Sequence, residues 1–107
     1  ITRTGILCGS DYEVVAHKRI GKAAGVSDEK TEALEVGADS NAFTDIEKDV
    51  LRFTDEVVRM DKPSDATFDS VAEHMTPGAL VELHLAIGFY IMTSKFLVTF
   101  GVDMQTD

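Results

Sequence analysis

Between Pro77 and Phe100 the sequence offers no polar face to any helix it could form. Leu80, Leu83, Ile87, Tyr90, Ile91, Ser94, Leu97 and Val98 recur at helical spacing, and Val81, Leu85, Phe89 and Phe96 fill the remaining sides. Such a helix asks to be covered nearly all round, so a buried helix is expected. Its length would span a bilayer, but Glu82, His84 and Lys95 interrupt it, and each is costly in hydrocarbon; no membrane partner is expected. A chain of 107 residues is one domain's worth and buries only about two-thirds of its unfolded surface. One copy cannot cover such a helix, which predicts a homo-oligomer.

The rest of the chain is punctuated by helix starts and stops. Thr4 to Cys8 is a short apolar stretch broken by Gly9. Ser10-Asp11-Tyr12-Glu13 has the capping-box form, in which the Ser10 hydroxyl accepts from the amide of Glu13 and the Glu13 carboxylate reaches back to the amide of Ser10. The helix this starts should run to Ala24, with Gly25 in the left-handed position that ends it. Ser27 caps a short helix through about Val36, stopped by Gly37, with Asp28 and Glu29 at its positive end. After a loop over 39–43, Thr44-Asp45-Ile46-Glu47 repeats the capping box, and Ile46, Val50, Phe53, Val57 and Met60 follow as an apolar stripe ending before Pro63. Ser64 caps a fourth helix with Phe68, Val71, Ala72 and Met75 inward, and Thr76-Pro77 opens the long last one. Met60, Met75, Met92 and Met104 read as core gap-fillers. No strict apolar and polar alternation persists for a strand's length. The class is all-α: residues 1–107 as a single compact bundle of five to six helices.

Acidic residues outnumber basic ones by 19 to 10, a formal charge of -9, and such a surface repels phosphate backbones and anionic lipid heads. Nucleic acid is not an expected partner. One cysteine excludes an intrachain disulfide and a Cys-based zinc site, and His17, His74 and His84 share no H-x-x-x-H or E-x-x-H spacing, so no metal is expected. A reducing cytoplasm fits this composition. The chain opens at Ile1 without an initiator Met or a secretory leader and reads as a fragment.

The residues with chemistry to offer gather in Cys8 to His17. On a helix starting near Ser10, Glu13 and His17 stand four residues apart on one face, where a carboxylate can orient or charge an imidazole for proton transfer near neutral pH. The competing reading leaves Glu13 its capping duty and the pair an ordinary surface contact. Cys8 is either a small buried hydrophobe or a lone peroxidatic thiol activated by the helix start beside it. Tyr12 is a pocket wall with a usable hydroxyl or a packing residue. His84 either reaches a pocket on the Leu80, Ile87 and Ile91 side or is a hydrogen-bonded core or interface histidine. His74, at a helix end, is a favourable charge at a C-terminus.

The segment D-Y-E-x-x-x-H-x-x-x-G-x-x-A-G-x-S, within Gly5 to Leu34, resembles the active-site segment of the carboxymuconolactone decarboxylase and alkylhydroperoxidase D family. Leu80-Val81-Glu82-Leu83 through Gly88-Phe89-Tyr90-Ile91-Met92 is similar to that family's long C-terminal helix. The peroxidase branch opens this helix with a C-x-x-C pair seven and four residues before the histidine. Ser10 and Glu13 stand at those places here, so a two-thiol cycle is not expected. The decarboxylase branch has a carboxylate four residues before the histidine, which carries over to Glu13 and His17. That resemblance implies cofactor-free acid/base chemistry on a small carboxylate, lactone or keto acid, a pocket drawn from Tyr12, Cys8, Ser10 and His84, and a trimer or a hexamer of two trimers. It also implies an upstream Glu, in an E-L-x-I-L-R pattern whose last part Ile1-Thr2-Arg3 resembles, that would lie before residue 1. The alternatives are an antioxidant using Cys8 alone and a non-catalytic helical binding or assembly module.

Overall fold

The computed structural model describes residues 1–102 and contains six helices: α1 (Thr2–Leu7), α2 (Asp11–Ala23), α3 (Asp28–Ala33), α4 (Asp45–Arg59), α5 (Asp65–Ala72) and α6 (Pro77–Thr99). Each expected cap is in place: the side chains of Ser10, Ser27, Thr44, Ser64 and Thr76 accept from the amides of Glu13, Lys30, Glu47, Thr67 and Ala79. Two boundaries differ from the sequence reading. The apolar stretch before Gly9 is already helical from Thr2, and α3 ends at Ala33, short of Val36.

A third difference matters for the site. The Thr44 box closes in both directions, with Thr44 N–H donating to Glu47 Oε1 at 2.9 Å and Glu47 N–H donating to Thr44 Oγ1 at 3.2 Å. At Ser10 only half of the box forms, a long 3.5 Å bond from Glu13 N–H to Ser10 Oγ. The preceding helix is the reason. Gly9, at φ 70°, turns the end of α1 so that Gly9 N–H reaches Ile6 O at 3.2 Å and Ser10 N–H reaches Gly5 O at 3.0 Å. Ser10's amide is therefore already engaged, and the carboxylate of Glu13 is left for another partner.

Phe53, Val71 and Ile87 form the core where α4, α5 and α6 meet, surrounded by Val57, Val58, Met75, Leu80, Leu83 and Ile91. Helix α1 packs against α2, α4 and α6. Gly5 permits its approach to α2, since a Cβ there would lie 3.2 Å from Glu13 Cβ and 3.3 Å from Val14 Cγ2. Arg3 anchors α1 from its other side. Its buried guanidinium donates to both oxygens of Asp55 at 2.9 and 3.0 Å, and to Leu34 O and Glu35 O at 2.7 and 3.0 Å beyond the end of α3. Gly37, at φ 88°, passes so close that a Cβ would stand 2.9 Å from this guanidinium. The α4 to α5 connection is held by Glu56, which accepts from Ser64 N–H at 2.8 Å and from the Thr67 hydroxyl.

The long last helix is the least covered element. Within one copy α6 buries only Ile87 and Ser94 fully, while Val81, Leu85, Phe89, Met92, Phe96 and Val98 are more than half exposed. Among the described residues α1, α4, α5 and part of α2 lie against α6, and the rest of its circumference is uncovered. By length and composition α6 is apolar enough to cross a membrane. Ile46, Met60, Phe68 and Met92, expected inward, are likewise exposed, because they lie beyond the reach of the small core. Met104 lies outside the described residues.

Candidate active site

Glu13 and His17 share one face of α2 and meet there, His17 Nε2 lying 2.8 Å from Glu13 Oε2, with side chains 16% and 8% exposed. The contact is close in distance but not a directed hydrogen bond, for Glu13 Oε2 is buried without a hydrogen-bond partner among the described residues. With Nε2 turned to Glu13, Nδ1 is the nitrogen left for a substrate. Tyr90 of α6 closes the site from across. Its ring meets that of His17 edge-on at 5.0 Å and 81°, and Phe89 packs on Tyr90 in turn at 5.1 Å.

The expected pocket residues divide. Ser10, buried, and Tyr12, partly exposed, line a cavity of about 210 Å³ with Leu97, Val98, Gly101 and Val102, between the start of α2 and the end of α6. His84 does not join them. It is exposed, about 9 Å along the axis of α6 from Tyr90, and lines a separate apolar cavity of about 550 Å³ with Lys62, Phe68, Leu80 and Phe53, whose ring it meets at 6.3 Å. His84 thus reaches a pocket beside Leu80, one of the roles expected of it, and makes no hydrogen bond among the described residues as a core histidine would.

Cys8 is a free, half-buried thiol that caps the end of α1. The activation expected from the helix start beside it is not found. Desolvation pushes the thiol up, and the charge of Lys95 only partly offsets this. Cys8 also sits at the negative end of its own helix, which disfavours a thiolate. His74 follows the end of α5, its N–H donating to Val71 O. Among the described residues no three His, Cys, Asp or Glu converge as metal ligands.

No family model matches the chain, and no curated protein matches it. Among solved structures, a protein of unknown function from Agrobacterium tumefaciens, described as a candidate AhpD of antioxidant defence, superposes with a TM-score of 0.92 at 21% identity, over 98% of this chain and 73% of that one. The chain has the alkylhydroperoxidase D-like fold. At this identity the likeness is one of architecture, and it covers every helix described above. Within this AhpD-like bundle the residues that sequence reasoning passed over are Tyr90, Ser94, Arg3 and Thr4. The first two stood in the inward stripe of α6, and a serine in a stripe otherwise apolar apart from Tyr90 was the one available signal.

Proposed function

We propose that the protein catalyses cofactor-free proton transfer on a small carboxylate, lactone or keto acid, with His17 as acid and base and Glu13 orienting and charging it. The observation that carries this reading is the 2.8 Å approach of His17 Nε2 and Glu13 Oε2 on a largely buried helix face, where the capping duty that would otherwise occupy Glu13 is absent. In one direction His17 removes a proton from carbon beside a carbonyl. In the other it returns a proton to the carbanion or enolate that loss of carboxylate leaves. Tyr90 walls the ring on one side, and Tyr12 offers a hydroxyl at the neighbouring cavity.

The working unit in this proposal is a homo-oligomer, a trimer or a hexamer, free of membrane and nucleic acid and resident in the cytoplasm. The apolar ladder of α6 from Val81 to Phe96 supports self-association, the charge of -9 argues against nucleic acid and anionic lipid, and the single cysteine fits a reducing compartment. A second reading, a thiol antioxidant using Cys8 with an outside reductant, is favoured by the description of the Agrobacterium protein and opposed by the raised Cys8 thiol.

The test is a panel of small lactones, 2-oxo acids and 3-oxo acids in D₂O, followed by NMR for exchange at carbon and loss of carboxylate. Turnover by the parent, retained in Cys8→Ser and reduced at least about a hundredfold in His17→Asn, is expected. Peroxide consumption abolished by Cys8→Ser would promote the antioxidant reading. No activity in either assay would favour a non-catalytic module.

A further inference from the structure

We infer that Ser94 is a positioning residue of the Glu13 and His17 pair, its hydroxyl donating to the buried oxygen of Glu13 that lacks a directed donor; this rests on the reading above. Three buried side-chain polar atoms among the described residues have no hydrogen-bond partner: Thr4 Oγ1, Glu13 Oε2 and Ser94 Oγ. They are two hydroxyl donors and one carboxylate acceptor, and they come from α1, α2 and α6, of which α1 packs against both of the others. Thr4 and Ser94 are both 0% exposed, so neither hydroxyl has water as an alternative partner.

Helical spacing sets Ser94 opposite Glu13. Tyr12 and Val98 line one cavity, and His17 meets Tyr90, so α2 and α6 run antiparallel past each other. One turn back from His17 on α2 is Glu13, and one turn on from Tyr90 along α6 is Ser94. Thr4 arrives from the third side, next to Gly5, whose backbone packs against Glu13 Cβ.

The hydroxyl of Ser94 is also not engaged by its own helix. Thr93 donates to Phe89 O at 2.9 Å, and Thr54 on α4 donates to Val50 O at 2.9 Å, the usual bond of a helical hydroxyl to the carbonyl four residues earlier. Ser94 makes no such bond. A bond from this free hydroxyl to Oε2 fixes the carboxylate plane and so the orientation of the oxygen that His17 Nε2 faces.

Imidazole ¹⁵N NMR of His17, with His74 and His84 as internal references, reads this directly. Glu13→Gln should move the His17 signals. Ser94→Ala, folded and of parent-like helicity, should move them in the same direction, with at least a third of the displacement, and Ser94→Thr should restore most of it. His17 signals that move in Glu13→Gln but stay put in Ser94→Ala would overturn the inference, leaving Ser94 a small packing residue and the Glu13 and His17 pair intact. Signals unmoved in both variants would overturn the pair itself. Should Ser94→Ala not fold, a crystal structure of the parent decides: Ser94 Oγ within hydrogen-bond distance of a Glu13 carboxylate oxygen is expected, and a separation too wide for that bond contradicts it.

Discussion

At the scale of single residues, the site turns on where one amide proton goes. The S-x-x-E pattern at Ser10 promised a reciprocal box, and the pattern is silent about the helix before it. Because Ser10 N–H closes α1 onto Gly5 O, Glu13 keeps only the donating half of the arrangement, its N–H to Ser10 Oγ, and turns its carboxylate to His17. The spacing of Glu13 and His17 was legible in the sequence. Tyr90 and Ser94 were legible only as a stripe, because their role depends on which part of α2 lies opposite them. Cys8 gives a prediction at the same scale. Its thiol is raised by desolvation, with Lys95 acting in the opposite sense, so it should stay protonated through neutral pH. Alkylation by iodoacetamide should be slow at pH 7 and accelerate only in the alkaline range, and Lys95→Ala should move that rise further up. Rapid alkylation near pH 6 would contradict the burial argument and favour thiol chemistry.

Among the elements, the starts of α2 to α6 were readable because their caps are local, whereas the start of α1, which has no side-chain cap, and the tie between α1, α3 and α4 were not. Arg3 and Asp55 lie far apart in the chain, and nothing local pairs them. Gly37→Ala should therefore cost more than the ordinary penalty for a side chain at positive φ, about 1 kcal/mol or above, because the new methyl also meets the Arg3 guanidinium. Urea denaturation measures this, and a loss below a few tenths would show that Arg3 yields easily. Glu56 supplies a pH dependence. Its carboxyl is held below the usual glutamate range, first by the Thr67 hydroxyl and then by the Ser64 amide, with desolvation opposing. A depressed folded value means its contribution is complete above the ordinary glutamate range, about pH 4.3. The contribution is lost as pH falls through the lower folded value. Glu56→Gln should thus melt below the parent at pH 7, and the two melting curves should draw together toward pH 3. A constant gap would remove the charge from the explanation.

For the whole molecule, α6 is the element whose composition was legible in the sequence and whose cover a single copy does not supply. An apolar circumference does ask for cover, but one copy provides it on one side only, leaving Leu85, Phe89 and Met92 exposed. If self-association supplies the rest, light scattering should give a trimer or hexamer at micromolar concentration, and Phe89→Glu should shift it toward smaller species. A soluble monomer in the parent would contradict this. The central claim, that Glu13 and His17 act as one unit, is tested most directly by a double-mutant cycle on turnover of the best substrate from the panel. Glu13→Gln and His17→Asn should each lower the rate steeply, and the double variant should be little worse than His17→Asn alone. Losses that multiply, so that the double variant falls by the product of the single effects, would show two independent residues and contradict the account.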